Sequence, residues 1–234
     1  MKRSIHPEIL DSLPASDPLA IHSRSDLRRL NVIMNHPRIL KQAILSHLDI
    51  VSLQKRRLQL IELGAGDGTL LLKLARRLSP KGIQADAILI DRQSLLTIET
   101  RKAFESLGWS VQVQVQDLHD WMKKETTSSD MILANLFLHH FQDSELPFFL
   151  EKISERSPLF IACEPRRDWA GMIASKLLGV IGCNSVTRHD AQVSVQAGFQ
   201  SNELSLLWPK TKSHAFSEKR AGLFSHLFIA YHDA

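Results

Sequence analysis

The stretch Leu58–Ser79, LQLIELGAGDGTLLLKLARRLS, constrains the fold of this chain more than any other. It begins as an apolar run, passes an acid at Glu62, makes a glycine turn over 64–68 and continues with leucines at helical spacing. A strand that leads into a glycine turn and then a helix is how parallel α/β sheets bind nucleotide-like ligands. Glycine lets the backbone approach a ligand closely and adopt positive φ. The stretch therefore predicts a nucleotide-like site in an α/β domain.

Strand and helix patterns alternate after this stretch. Apolar strands are predicted at 58–63, 85–90, 111–115, 130–136 and 158–163 with helical segments between them, and two more at Ser201–Trp208 and Leu223–Tyr231. This order predicts an α/β fold, a doubly wound, mostly parallel seven-stranded sheet that ends in an antiparallel hairpin. Helical spacing from Ser23 onward predicts an N-terminal helical cap over 1–57, followed by the sheet domain over 58–234.

Composition narrows the location and the class of partner. The chain has no apolar run near the roughly 20 residues of a membrane span, and no apolar segment follows Lys2 and Arg3 as it would in a secretory signal. Only Cys163 and Cys183 are present, without the spacing of a metal site, so we expect a cytoplasmic protein with no disulfide framework and no metal. Residues 1–57 carry ten Lys/Arg against five Asp/Glu, which could form either a solvated helical face or a docking surface for nucleic acid.

Polar residues follow the predicted strands in register with the glycine turn. Asp91 ends the second strand, Asp117 follows the third and Asn135 lies at the end of the fourth. The turn has the pattern G-x-G-x-G, with Thr69 where a dinucleotide fingerprint has its third glycine, and Asp91 lies 27 residues after Gly64. Because the dinucleotide pattern places its acid roughly 20 residues on, this spacing disfavours NAD.

With these residues, the sequence resembles the class I S-adenosylmethionine-dependent methyltransferases. ELGAGDGTLLLKLA is similar to motif I of that family, and Asp91, Asp117-Leu118 and Asn135-Leu136 match later motifs in order and spacing, from about residue 55 to the C-terminus. The resemblance implies S-adenosylmethionine as the cofactor.

The resemblance also implies a role for each matching position. It implies that the cofactor-binding residues are Glu62, Gly64, Ala65, Gly66, Asp91, Arg92, Asp117, Leu118 and Asn135. The glycines would lie against the amino-acid portion and ribose, Glu62 would order the turn or take up the ammonium, and Asp91 would accept both ribose hydroxyls. Asp117 and Leu118 would bind the adenine, beside which Arg92 would pack. Strand-end acids can also be simple helix caps, but three in register make that interpretation weak.

The acceptor is less constrained than the cofactor. ANLFLHHF resembles the small-molecule branch of the family, and the motif typical of base-amino methyltransferases is absent, so we expect methylation of a hydroxyl on an aromatic or polyketide-like metabolite and no nucleic-acid partner. His139, His140 and His189 are the candidate bases. Asp190 follows His189, but sequence neighbours do not face each other on a helix, so Asp190 need not orient it. Trp169 and the run Met172–Ile181 predict either the wall of an apolar pocket or a buried helix.

Two other functions remain open from the sequence. The basic N-terminal segment could dock RNA or protein, which would then be the methyl acceptor. The same fold could also bind the cofactor without turnover, as a silent partner subunit. The oligomeric state is not determined by any of these patterns.

Overall fold

The computed structural model describes residues 1–124, 127–210 and 214–232. Within them the strands are β1 (Leu58–Leu63), β2 (Ala85–Asp91), β3 (Ser110–Val115), β4 (Met131–Asn135), β5 (Leu159–Pro165), β6 (His214–Ala221) and β7 (Ser225–His232). The described residues form one seven-stranded sheet in the order β3-β2-β1-β4-β5-β7-β6. Neighbours from β3 to β5 are parallel, and β7 is antiparallel to both β5 and β6. The predicted doubly wound sheet with a terminal antiparallel hairpin is confirmed.

Helices cover both faces of this sheet. They are α1 (Ile9–Ser12), α2 (Pro18–Ile33), α3 (His36–His47), α4 (Ile50–Leu53), α5 (Thr69–Leu78), α6 (Ile98–Glu105), α7 (Leu118–Lys124), α8 (Leu146–Arg156), α9 (Trp169–Lys176), α10 (Ser185–Ala197) and α11 (Glu203–Leu207). Short 3-10 helices lie at Ser79–Lys81, Leu138–His140 and Leu177–Ile181. No helix in the described ranges combines the length and the apolar character needed to cross a bilayer.

The central strands are apolar on both sides because helices bury both. Leu58 and Leu60 of β1 pack into one hydrophobic cluster, and Ile61 and Leu63 pack into the other. Side chains alternate between the two faces of a strand, so this division assigns one cluster to each face of the sheet.

The N-terminal helices begin earlier than predicted. Asp17 accepts hydrogen bonds from the amides of Leu19 and Ala20, and Pro18 takes the first helical position of α2, so this helix starts five residues before Ser23. Asn35, with φ 60°, separates α2 from α3. Both helices pack against α5, and α3 also contacts β5. The boundary at residue 57 stays a prediction.

The prediction of a strand at Ser201–Trp208 is wrong. This stretch contains helix α11, because Leu204, Leu207 and Trp208 share helical spacing and all pack into one hydrophobic cluster. Glu218 of β6 accepts the backbone amides of Leu204 and Ser205 at 3.0 and 2.8 Å, which fixes the first turn of the helix. The outer strand of the hairpin is β6 instead, which lies between the two stretches predicted as strands.

Candidate active site

The carboxyl ends of β1, β2, β4 and β5 lie at one edge of the sheet because these strands are parallel. The glycine turn follows β1, Asp91 ends β2, Asn135 ends β4 and Glu164 lies near the end of β5. Asp91 contacts the turn directly, since its Oδ2 accepts the backbone amide of Gly66 at 2.9 Å. The structure therefore brings the predicted cofactor residues of the first two strands together.

Two glycines of the turn are needed for different reasons. Gly64 has φ +65°, and a Cβ there would lie 2.2 Å from Cδ2 of Phe137, so the ring of Phe137 excludes any side chain. Gly66 has φ +55°, and a Cβ there would have no atom within 4 Å. The amides of Gly64 and Ala65 both donate to the carbonyl of Ile90. The turn thus presents open space at Gly66, while its first amides already hold the turn on β2.

Glu62 is a buried acid two residues before the glycine turn. It is 2% exposed, and its Oε2 has no hydrogen-bond partner among the described residues. Burial, together with the charges of Asp67 and Asp91, raises the pKa of Glu62 to about 8. A buried carboxyl without a partner is unfavourable, so the position suits a ligand that brings a cationic or hydrogen-bond-donating group. This orphaned oxygen and the open space at Gly66 fit the amino-acid end of S-adenosylmethionine.

The adenine-side residues lie at the ends of β2 and β3. Asp117 Oδ1 accepts the amide of His119 at 2.8 Å, which caps α7. Leu118 begins α7, where the first amides of a helix have no intrahelical partner. Arg92 is exposed and lies 3.1 Å from Asp11 of the N-terminal segment. The predicted roles of these residues toward adenine stay predictions.

Helix α2 lies over the glycine turn and the end of β4. Arg28 pairs with Asp67 of the turn at 2.7 Å. Asn31 Oδ1 accepts from Asn135 Nδ2 at 3.2 Å and lies 2.8 Å from Nδ1 of the buried His36. Asn135 Oδ1 has no hydrogen-bond partner among the described residues. The N-terminal segment therefore contributes directly to the walls of the site.

Glu164 organises the loop after β4. Its carboxylate accepts the amides of Phe137, Leu138 and His139 at 3.0–3.4 Å, and Leu136 adopts φ 51° to make this wrap possible. Burial opposes ionisation, but the hydrogen bond and charge of His139 and these amides lower the pKa of Glu164. A fully buried carboxylate thus fixes the positions of both candidate histidines.

His139 is held between two carboxylates. Its Nδ1 lies 2.8 Å from Glu164 and its Nε2 lies 3.3 Å from Glu8. Burial alone would lower the pKa of His139, but the hydrogen bonds and charges of the two glutamates outweigh it and raise the pKa to about 9. The same contact lowers the pKa of Glu8 to about 2 against the effect of burial. At neutral pH, His139 is therefore an imidazolium with both N–H groups engaged, and it has no lone pair to accept a proton.

The pKa of His140 is shifted in the opposite direction from that of His139. Burial and the positive charge of the neighbouring His139 lower the pKa of His140, so it is neutral at neutral pH. Its side chain is 24% exposed, and its Nδ1 lies 3.5 Å from Asp11. Its ring centroid lies 6.3 Å from that of Phe137, the side chain that packs on Gly64. His140 therefore lies beside the ring that packs on the glycine turn, and as a neutral imidazole it has a lone pair on one ring nitrogen.

His189 is separate from this pair. It lies on α10 with its side chain 50% exposed, and no contact among the described residues joins it to His139 or His140. The expectation that Asp190 need not orient it is wrong, because its Nδ1 lies 2.9 Å from Asp190 Oδ1. Asp190 also accepts the amides of Ile9 and Leu10, so it joins α10 to α1 as well.

Two further features differ from what the sequence suggested. Trp169 is 71% exposed, and Ile173 and Leu177 are also exposed, so the prediction of a buried helix is wrong for this side of α9, and the pocket wall stays a prediction. Ligand atoms of Glu8, His139 and His140 lie within 4.8 Å of one another, close enough for a metal ion. With one carboxylate on each ring nitrogen of His139, however, the charges favour a proton at that position.

Comparisons with known proteins agree with this fold. Residues 60–156, from β1 through α8, match a family model described as a methyltransferase domain. Residues 60–156 therefore form a methyltransferase domain, which confirms the resemblance to the S-adenosylmethionine-dependent methyltransferases. Among curated protein sequences, none matches it.

Solved methyltransferases share the fold of this methyltransferase at low identity. The plantazolicin methyltransferase BpumL in complex with SAH superposes with a TM-score of 0.62 and 14% identity, over 93% of this chain and 92% of that chain. An O-methyltransferase family protein from Burkholderia thailandensis gives 0.55 and 17%, over 94% and 64%. Magnesium protoporphyrin IX methyltransferase (ChlM) from Synechocystis PCC 6803 with bound SAH gives 0.53 and 10%, over 96% and 91%.

Sequence reasoning missed the contacts that Arg3 and Glu8 of the N-terminal segment make around the candidate site. Arg3 donates to the carbonyls of Ala197 and Phe141 at 2.7 and 3.0 Å and pairs with Asp143. Glu8 contacts His139 and accepts from Ser194. Nothing in the local sequence around Arg3 or Glu8 indicates these contacts, because their partners lie more than 130 residues away.

Proposed function

We propose that this methyltransferase methylates a hydroxyl group of a small-molecule acceptor, an aromatic or polyketide-like compound, in the cytoplasm. S-adenosylmethionine, when bound, supplies a methyl group that is already activated on a sulfonium. The chain then has to hold the acceptor, exclude water and remove the proton of a weakly acidic hydroxyl. An O-methyltransferase family protein is among the structures with this fold, which agrees with this chemistry.

The observation that carries the proposal is the neutral His140 beside the fixed imidazolium of His139. A base needs a lone pair at working pH, and the lowered pKa of His140 provides it. In this proposal His140 accepts the hydroxyl proton, and His139 positions it and keeps it neutral. His189 has no role in proton transfer.

The proposed cofactor contacts follow the same edge of the sheet. Glu62 takes up the ammonium of the cofactor, Asp91 accepts the ribose hydroxyls, and Asp117 with Leu118 binds the adenine. The partnerless oxygens of Glu62 and Asn135 support this assignment, because a bound ligand would satisfy both.

The proposal is tested by replacing each histidine and measuring methyl transfer from labelled S-adenosylmethionine to a panel of phenols and naphthols. We expect His140→Ala to lower kcat by about 10²- to 10⁴-fold, the usual contribution of a general base. Affinity for S-adenosylhomocysteine, measured by calorimetry, should be unchanged. His189→Ala is the matched control and should retain wild-type turnover. Equal kcat in His140→Ala and the wild-type protein would rule out the base role.

The basic segment gives little support to an RNA or protein acceptor. Four of its cations pair with acids of the sheet domain, Arg3 with Asp143, Arg28 with Asp67, Arg56 with Asp130 and Arg57 with Asp86. The charges of these arginines are thus balanced by acids of the same chain. An RNA acceptor would make binding weaken steeply as salt rises, whereas turnover of a small phenol should not change in that way. A silent partner subunit would bind the cofactor and methylate no acceptor.

A further inference from the structure

Helix α9 and the 3-10 helix that follows it present an apolar surface to solvent. Trp169 is 71% exposed, Ile173 59%, Leu177 57% and Val180 84%. We call these four side chains the apolar ridge. Their spacing of four, four and three residues places them on one side of a continuous helical run. The opposite side, with Met172 and Ser175, is buried. A surface helix normally turns its polar side outward, so this arrangement is inverted.

Exposed cations border the apolar ridge. Lys176 lies within it and is exposed, and the exposed Arg188 packs against Gly179. The nearby acids add no free negative charge to this surface, because Asp168 caps α9 and pairs with Arg166, and Asp26 is fully buried. The free charge along the ridge is therefore positive.

We propose that the apolar ridge docks this methyltransferase on the surface of an anionic lipid bilayer. In this arrangement the four apolar side chains enter the boundary between headgroups and acyl chains, while Lys176 and Arg188 lie near the lipid phosphates. Tryptophan favours this boundary because its ring is apolar and its N–H is polar. Helix α9 starts four residues after β5 ends, so the ridge begins at the carboxyl edge that holds the candidate active site.

A second copy of the chain fits this surface less well than a bilayer. A stable protein interface uses about 20 to 30 residues on each side, and the ridge offers four large side chains. A two-fold interface would also repeat the same patch on both partners, so that Lys176 and Arg188 would meet their own copies without a compensating acid. An anionic bilayer complements both the apolar line and the cations.

Trp169 allows a direct spectroscopic test on the full chain. The other three tryptophans, Trp109, Trp121 and Trp208, are at most 2% exposed, so a change in polarity at the surface affects mainly Trp169. We expect vesicles of phosphatidylglycerol and phosphatidylcholine to shift the tryptophan emission to shorter wavelength and to cosediment with the protein. Vesicles of phosphatidylcholine alone should bind more weakly. Trp169→Phe should abolish the spectral shift and retain cosedimentation.

Substitutions distinguish vesicle binding through the apolar ridge from non-specific binding by other exposed apolar side chains. The double variant Ile173→Asp with Leu177→Asp should lose binding to the anionic vesicles, whereas Ile98→Asp, at a 69% exposed position on α6, should bind like the wild-type protein. Lys176→Gln and Arg188→Gln should each weaken binding by about fivefold. Absence of binding by the wild-type protein, or unchanged binding by the double variant, would overturn the proposal. A wild-type dimer in light scattering that the double variant converts to a monomer would also overturn it and assign the ridge to self-association.

Discussion

Glu62 and Glu164 are both fully buried glutamates near the carboxyl ends of parallel strands, yet their electrostatics are opposite. Burial raises the pKa of each. For Glu62, nearby carboxylates add to burial and the pKa rises to about 8. For Glu164, the His139 imidazolium and the backbone amides of Leu138 and Phe137 outweigh burial and the pKa falls. Oε2 of Glu62 has no hydrogen-bond partner among the described residues, whereas both carboxylate oxygens of Glu164 accept hydrogen bonds.

This difference divides the site into two halves with different tasks. The half at β1 and β2 keeps a partnerless oxygen and open space, as a ligand-binding region does when the ligand is to supply the missing contacts. The half at β4 and β5 is satisfied internally and holds its loop in one conformation. We infer that the first half is built to gain energy from a cofactor, and that the second is a rigid support for His140.

The largest loss of stability is expected from a substitution in the half at β4 and β5, where Glu164 is fully hydrogen-bonded. Glu164→Gln removes the charge that balances His139 and leaves the imidazolium buried with Glu8 alone. Losing one partner of a buried pair costs about 3–5 kcal/mol of unfolding free energy. Denaturant titration at pH 7 measures this loss. Glu151→Gln, on the exposed face of α8, is the control and should change the unfolding free energy by less than about 0.5 kcal/mol.

The pH dependence gives this prediction a second readout. The pKa of His139 is raised to about 9 in the folded protein, so its contribution to stability is complete below the unfolded value near 6.5 and is lost as pH rises through 9. Wild-type stability should therefore fall between pH 6.5 and 9, and the fall should be smaller in Glu164→Gln. Equal slopes in the two proteins would mean that Glu164 does not hold the proton on His139.

A gain of stability is expected from a substitution at Glu62, in the half at β1 and β2. Because the pKa of Glu62 is raised to about 8, folding at pH 7 must protonate a group that is ionised in the unfolded chain. Glu62→Gln removes this requirement and should stabilise the free protein by roughly 3 kcal/mol at pH 7. The gain should disappear near pH 4, where the unfolded glutamate is also protonated.

The same substitution should weaken binding of S-adenosylhomocysteine in calorimetry, since an amide, unlike Glu62, cannot ionise to balance the ammonium of the ligand. Gain of stability with loss of affinity is the pattern expected of a residue kept for a ligand. If Glu62→Gln destabilised the protein at pH 7, Glu62 would be a structural residue and the two halves would not differ as proposed.

The cofactor half could be predicted from sequence because backbone geometry dictates it. Positive φ at Gly64 and Gly66, an apolar strand before them and an acid at the end of the next strand are all local patterns. The sheet order follows from alternating strands and helices for the same reason. The stretch 201–208 shows the limit, because a short apolar run fits both helix and strand periods and only the contact with Glu218 decides between them.

The histidine half could be predicted only in part. The position of His139 and His140 after a strand was visible in the sequence, but their different protonation depends on Glu8, which lies 131 residues from His139 along the chain. The exposure of Trp169 was equally hidden, since an apolar helical stripe usually faces a core. Long-range partners decide charge and exposure, and a local pattern does not contain them.

The smallest effect is expected at Asp91, which ends β2 in the half of the site at β1 and β2. Its carboxylate accepts the amides of Gly66 and Gln93, so it already has partners in the free protein and could be no more than a cap for the turn. If it also binds the ribose hydroxyls, Asp91→Ala should weaken S-adenosylhomocysteine binding at least tenfold, or about 1.4 kcal/mol, in calorimetry. An analogue without the ribose hydroxyls separates the two roles, since the wild-type protein should bind it more weakly than S-adenosylhomocysteine whereas Asp91→Ala should not distinguish the two ligands. If Asp91→Ala lowered affinity for both ligands by the same factor, Asp91 would act only through the glycine turn, and the half at β1 and β2 would depend on Glu62 alone.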